Sequence, residues 1–122
     1  MAGLGTFGLN NMLITAAGCC GRLSTVVTNL RVTADTPLLT ENCLYKKSGR
    51  CGLCVKRCPS GALKFAGYDR KICFELCEEN AAIHNTYGNS YTAVPGGEVA
   101  ASGSQVCGKC LVGLPCSFQK PA

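Results

Sequence analysis

Hydrophobic and polar positions divide the first third of the chain into short elements. Residues 12–15 are an apolar run that predicts a strand, and the small residues at 16–21 predict a turn. Residues 23–32 are rich in Val and Thr, which favour the pleated backbone, and predict a second strand. Residues 33–42 contain a proline and predict a loop. The pattern therefore predicts a β-rich beginning to the chain.

The second half of the chain carries one clear helical pattern. Asp69 is a favourable N-cap, and apolar positions at helical spacing follow it over residues 70–83. These positions are Ile72, Leu76 and Ile83. Residues 59–63 predict a first helical turn, because proline is favoured early in a helix. Residues 84–105 are polar and Gly-rich and predict a long loop or a pair of short extended pieces.

Together these elements predict an α+β fold in two parts. Residues 1–42 form a short β-rich segment, and residues 43–122 form a cysteine-rich domain in which short helices follow the cysteine motifs. The 122-residue chain has four Phe and no Trp, so its apolar core is small. A core of this kind needs additional cross-links to hold the fold together.

Eleven cysteines are the candidates for those cross-links, and they indicate disulfides, zinc sites or iron–sulfur clusters. A disulfide scaffold belongs to secreted proteins, but the first charged residue is Arg22, so the start lacks the basic segment of a signal peptide. An odd number of cysteines also fits complete pairing poorly. Residues 1–21 are too rich in Gly, Asn and Thr for a membrane span. We therefore expect a cytoplasmic protein with reduced thiols and no membrane contact.

The spacing of the middle cysteines is typical of a cluster-binding loop. Two-cluster bacterial ferredoxins have the pattern C-x2-C-x2-C-x3-C-P, whose fourth cysteine ligates the other cluster. Cys51, Cys54 and Cys58, followed by Pro59, match the end of this pattern. Cys43 precedes them, with seven residues before Cys51 instead of two. Proline has no N–H and a fixed φ, which favours the turn of the chain away from the first cluster.

A second group of cysteines completes two sets of four. Cys107, Cys110 and Cys116 follow late in the chain, and Cys73 stands between the groups. If the fourth cysteine of the loop crosses to the other cluster, the thiolates divide evenly. The first set is Cys43, Cys51, Cys54 and Cys116, and the second set is Cys58, Cys73, Cys107 and Cys110. The sequence thus predicts two [4Fe-4S] clusters.

Three cysteines remain outside these sets. Cys77 lies one helical turn after Cys73 on the same face, so it could replace Cys73 as a ligand. Cys19 and Cys20 are adjacent and cannot easily share one cluster, and we expect them to be buried small residues or loop thiols.

The alternative hypothesis is a structural zinc module for protein or RNA contact, since paired C-x2-C units also build four-cysteine zinc sites. The x3-C-P ending favours iron–sulfur, because a zinc ribbon has no need of it. His84 is the only histidine, so no nucleophile–base set can be assembled for hydrolysis or acyl transfer. We assign no catalytic residue.

The formal net charge of +5 gives weak support to nucleic-acid binding. Each cluster with its four thiolates carries about −2, so two clusters would bring the chain to about +1. The basic residues also lack interleaved aromatic residues for stacking on bases. Those near the first motif either offset the cluster charge or form a docking surface for an acidic donor such as ferredoxin or flavodoxin. They are Lys46, Lys47, Arg50, Lys56 and Arg57.

Two stretches resemble the C-terminal half of the epoxyqueuosine reductase family: AGLGTFGLNNMLI at residues 2–14 and CGLCVKRCPSGAL at residues 51–63. Members are cobalamin-dependent enzymes with a double [4Fe-4S] module similar to that of reductive dehalogenases. The resemblance implies the crossed ligand sets, with an isolated cysteine about where Cys73 stands. It also implies that the clusters pass electrons to a corrinoid. The corrinoid-binding part, with its acid proton donor, would precede residue 1, so we expect cobalamin only where an upstream domain is present.

We therefore expect a small two-cluster, bacterial-ferredoxin-like module that transfers single electrons. Its partner would be a ferredoxin-like or flavodoxin-like redox protein, or an upstream corrinoid domain. In the alternative, the chain is the electron-supplying part of a cobalamin-dependent reductase acting on tRNA or another substrate, which leaves open whether it is an enzyme. Exposed strands within residues 1–42 could also pair two copies into a homodimer.

Overall fold

In the computed structural model of the chain, residues 3–84 and 106–122 are described. They form a small α+β fold with two two-stranded antiparallel sheets and three helices, which confirms the predicted fold class. The chain divides into two compact units. The first unit is Met1–Arg57 together with Cys110–Ala122, and the second is Cys58–Lys109. The expected boundary between residues 42 and 43 falls within the first unit.

The sheet of the first unit is a hairpin of β1 (Gly5–Phe7) and β2 (Leu13–Thr15), with Gly5 opposite Thr15. β2 confirms the strand predicted at residues 12–15, whereas β1 lies in the Gly-rich segment for which no strand was predicted. The connecting turn is closed by a 2.9 Å hydrogen bond from the Gly8 N–H to the Met12 carbonyl. The hairpin brings the apolar side chain of Ile14 into the core of this unit.

The strand predicted at residues 23–32 is wrong. Residues 22–39 have no regular secondary structure, and the whole stretch 21–41 is exposed. Val27 is fully exposed, although Val has a high strand propensity. A strand is stable only when a neighbour takes up its backbone hydrogen bonds, and no sheet of the described residues includes this stretch. Propensity alone therefore did not decide the local structure.

Two short helices of the first unit lie next to Cys43, Cys51 and Cys54. Helix α1 (Leu44–Ser48) has Cys43 as its N-cap and ends at Gly49, whose left-handed backbone lets its N–H reach the Tyr45 carbonyl at 2.7 Å. Helix α2 (Leu53–Lys56) follows Gly52. Short helices were predicted after the cysteine motifs, but without bounds for these two. The residues that share the core with Ile14 include two thiols, Cys19 and Cys43.

The second unit consists of a hairpin and one longer helix. Strands β3 (Leu63–Lys64) and β4 (Gly67–Tyr68) pair antiparallel, and helix α3 (Arg70–Ile83) follows. The carboxylate of Asp69 accepts the N–H groups of Lys71 and Ile72 at 2.9 and 3.2 Å. The predicted helix and its cap are thereby confirmed, and His84 is the C-cap of the helix.

The helical turn predicted at residues 59–63 is wrong, because this stretch is a turn that leads into β3. The N–H of Leu63 donates to the sulfur of Cys58 at 3.4 Å and not to a helical carbonyl. The loop predicted at residues 84–105 lies outside the described residues apart from His84. No helix of the described ranges is long and apolar enough to span a bilayer.

Candidate metal centre

The four cysteines of the first predicted set line one cavity of the first unit. Cys43, Cys51 and Cys54 reach it from the stretch that contains α1 and α2, and Cys116 reaches it from the C-terminal segment. The rest of the wall is largely apolar and includes Leu9, Ile14 and Leu114. The structure therefore brings together residues that are up to 73 positions apart by their numbers in the sequence.

The loop between the two helices has an unusual backbone. Cys51 and Gly52 both have left-handed conformations, with φ of 97° and 92°. Such a conformation costs a non-glycine residue about 1–3 kcal/mol and is typical of functional sites. The double turn leads the chain from Cys51 directly into α2, so that Cys54 lies in the first turn of that helix. Two cavity-lining thiols are thus held on a tightly constrained loop.

Cys116 is held by the turn at Gly18–Cys20. The Cys19 N–H donates to the carbonyls of Cys116 and Ser117 at 2.8 and 3.1 Å, and the Cys20 N–H donates to Ser117 at 3.0 Å. Gly18 has φ of 89°, and a Cβ atom there would collide with the Ser117 carbonyl oxygen. Only glycine therefore allows this close approach of the two backbones.

Sequence reasoning gave no ligand role to Cys19, yet the structure places this thiol beside the site. Its sulfur lies 3.9 Å from that of Cys116, and the residue is 2% exposed. Cys19 is not among the cavity-lining residues, so it stands next to a lining thiol and not on the wall itself. The thiol of the neighbouring Cys20 donates to the Leu111 carbonyl at 3.3 Å, and it also interacts with the side chains of Cys19 and Ser117. Sequence spacing carries no signal that would separate these two adjacent cysteines.

The thiols of the first set impede one another's ionisation. Burial is the main cause that raises the pKa of Cys54, and the negative charges of Cys43 and Cys51 add to it. Burial and then the charge of Cys19 raise the pKa of Cys116 to about 12. Crowded thiolates repel each other, and a bound metal core reverses this by supplying positive charge. Without added positive charge, the arrangement is therefore poorly suited to four separate thiolates.

Three cysteines of the second predicted set belong to the second unit, namely Cys58, Cys73 and Cys107, whereas Cys110 belongs to the first. Cys77 also lies in the second unit. Burial raises the pKa of Cys77, and the charges of Cys73 and Cys107 raise it further. Cys73 and Cys77 share one face of α3.

Cys58 has a different environment from the other thiols. Burial opposes its ionisation, but the Leu63 N–H and the Ser60 hydroxyl, 3.4 and 3.6 Å from its sulfur, lower the pKa of Cys58 below its usual range. Hydrogen bonds of this type stabilise a thiolate, the form that binds metal.

Among residues 3–84 and 106–122, no group of three or more His, Cys, Asp or Glu side chains is placed to hold a single metal ion. Ligands of a single zinc ion all lie about 2.0–2.3 Å from it. A four-iron cluster takes one thiolate on each iron, so its four cysteine sulfurs lie farther apart than the ligands of a single zinc ion.

Two residues of the basic group serve the local fold. The guanidinium of Arg57 donates to the carbonyls of Val112 and Gly113 at 2.8 and 3.1 Å. The ammonium of Lys46 donates to the Phe7 carbonyl at 2.7 Å. Lys46 and Arg57 thus have bonds to the backbone that do not require a partner protein.

No protein-family model, curated protein or solved structure matches this chain.

Proposed function

We propose that this chain binds two [4Fe-4S] clusters and transfers single electrons as a small bacterial-ferredoxin-like module. The convergence of Cys43, Cys51, Cys54 and Cys116 on one apolar cavity is the observation that carries the proposal. These four were grouped from the sequence by their spacing and by the crossed-ligand pattern of two-cluster ferredoxins, and they come from distant parts of the chain.

The donor set fits such a cluster in chemistry and number, since cubane clusters are held by four cysteine thiolates. The size of the cavity sets a condition on the binding of a cluster. The cavity measures about 30 Å³, which is room for no more than a few water molecules. A cluster core has eight atoms, so the cavity must widen to hold it. Cys51 is exposed and Cys54 is half-buried, which leaves their side chains room to move, whereas Cys43 is buried and Cys116 is held beside Cys19.

For the second cluster, we propose Cys58, Cys73 and Cys107 as ligands. The sequence assigns the fourth position to Cys110, and Cys77, one helical turn after Cys73, is the alternative to Cys73. Alanine variants of Cys73 and Cys77 separate these two assignments, because only the variant that lacks a ligand should lose iron from this site.

A bound [4Fe-4S] cluster supplies one-electron redox chemistry. The contribution of the chain is to hold the thiolates, exclude water and set the reduction potential through hydrogen bonds to sulfur. The Leu63 N–H and the Ser60 hydroxyl are placed to do this at Cys58. Lys47, Arg50 and Lys56 are suited to an acidic donor such as ferredoxin or flavodoxin in the cytoplasm. The resemblance to epoxyqueuosine reductases suggests a corrinoid as the acceptor where a corrinoid domain accompanies the chain.

Anaerobic purification followed by iron, sulfide and zinc analysis tests the proposal. We expect about eight irons and eight sulfides per chain, with EPR signals of two coupled clusters after dithionite reduction. Cys54→Ala should remove about half of the iron, whereas Cys20→Ala, the matched control, should retain all of it. One or two zinc ions without sulfide would instead support a structural zinc module and exclude electron transfer.

A further inference from the structure

We propose that the Cys19 thiol is a positioning residue that donates a hydrogen bond to the Cys116 sulfur and thereby raises the reduction potential of the first cluster. The inference rests on the proposed function. The observation behind it is the 3.9 Å contact between the two sulfurs, with the Cys19 thiol placed as the donor.

Cys19 is suited to donate to a ligand and not to act as one. Cys116 lines the cavity, whereas Cys19 does not. Each iron of a cubane takes one protein thiolate, and the four thiolates are spread over the four irons. Two sulfurs as close as those of Cys19 and Cys116 are therefore poorly placed to bind separate irons.

The neighbourhood of Cys19 fixes its thiol on both sides. The side-chain N–H of Asn10 donates to the Cys19 sulfur at 3.8 Å and to the Cys110 carbonyl at 2.9 Å. The orientation of this amide is set by the Met12 N–H, which donates to the Asn10 side-chain oxygen at 3.2 Å. With its acceptor side engaged by Asn10, the Cys19 thiol has its hydrogen available for Cys116.

The backbone holds the same pair in register. The Cys19 N–H donates to the Cys116 carbonyl at 2.8 Å, so the two residues cannot separate without breaking this bond. At 2% exposure, Cys19 also has no competing contact with bulk water. In such a dry site, a donor to a ligand sulfur stabilises the additional negative charge that reduction brings to the cluster.

The test is an EPR-monitored redox titration of the holo-protein, combined with iron analysis of each variant. Cys19→Ala and Cys19→Val remove the donor, and Val also fills the space left by the sulfur. Cys19→Ser retains a donor in nearly the same shape. We expect one of the two midpoint potentials to become more negative in the Ala and Val variants and to be restored toward the wild-type value in the Ser variant.

Cys20→Ala is the matched control, because the Cys20 thiol donates to the Leu111 carbonyl and not to a ligand sulfur. It should leave both potentials unchanged. Full iron content with unchanged potentials in Cys19→Ala and Cys19→Val would overturn this inference alone. Loss of iron from both variants would also overturn it, since a residue that only tunes the potential is not needed for cluster retention. A wild-type chain without iron and sulfide would overturn the proposed function itself.

Discussion

The backbone N–H of Cys19 and the carbonyl of Cys116 are joined by a hydrogen bond of 2.8 Å, although the two residues are 97 positions apart in the sequence. This bond attaches the C-terminal segment to the turn after β2. It thereby places Cys116 at the cavity that Cys43, Cys51 and Cys54 also line. The first candidate site therefore depends on the contact between the two ends of its unit.

Gly18→Ala tests that contact directly. The left-handed φ of 89° and the collision with the Ser117 carbonyl should destabilise the fold by about 1–3 kcal/mol and lower the iron content of the first site. The melting temperature by circular dichroism and the iron content measure the two effects. Gly21→Ala is the control, because no heavy atom lies within 4 Å of its added Cβ. Equal behaviour of the two variants would contradict the role of the Gly18 turn.

Asp69→Ala should weaken the start of α3. The carboxylate satisfies two N–H groups there, so its loss should cost about 0.5–2 kcal/mol. Asp69→Asn keeps an acceptor and should stay close to wild type. Urea unfolding of the reduced, metal-free chain, monitored by helical circular dichroism, measures the difference. If Ala and Asn were equally destabilised, the cap would not be the cause.

Ser60→Ala should make Cys58 less reactive toward iodoacetamide near neutral pH. The Ser60 hydroxyl helps to lower the pKa of Cys58, so its removal reduces the thiolate fraction. Mass spectrometry of the peptide containing Cys58, after brief alkylation of the metal-free chain, gives the rate. Ser48→Ala is the control, since its hydroxyl donates to the Leu44 carbonyl. A rate that is unchanged in Ser60→Ala would argue against the hydrogen bond.

The metal-free, reduced chain should lose stability between about pH 9 and pH 12. Burial and neighbouring charge raise the pKa of Cys116 from 9.0 to about 12, so the unfolded chain releases this proton before the folded chain does. The unfolded state then binds fewer protons, and the free energy of unfolding falls as the pH rises through this window. Urea unfolding at several pH values measures the slope, which should be shallower in Cys116→Ala. A flat profile in wild type would contradict the crowding of these thiols.

Helix α3 was predicted correctly from the sequence because its signals are local. Asp69 at the cap and the apolar positions that follow it act within a few residues of each other. Strand β2 was predicted for the same reason. Residues 23–32 show the opposite case, since Val and Thr favour a strand but cannot supply the partner that a strand requires. After Pro59, the sulfur of Cys58 accepts the Leu63 N–H, which in a helix would bond to a backbone carbonyl.

The candidate site was only partly accessible to sequence reasoning. The pattern of Cys51, Cys54 and Cys58 indicated thiols in one loop, and counting suggested Cys116 as a further member of the first set. The position of Cys19 beside Cys116 depends on backbone contacts that have no counterpart in cysteine spacing. The bounds of α1 and α2 were not predicted, because each helix has a left-handed residue at one end and no apolar pattern marks it.

The central claim, two [4Fe-4S] clusters in one chain, is tested most directly by native mass spectrometry of anaerobically purified protein. We predict a species heavier than the bare chain by about eight irons and eight sulfides, which loses this mass in two equal steps under mild activation. A mass increase that corresponds to one or two zinc ions, or to no metal at all, would contradict the account.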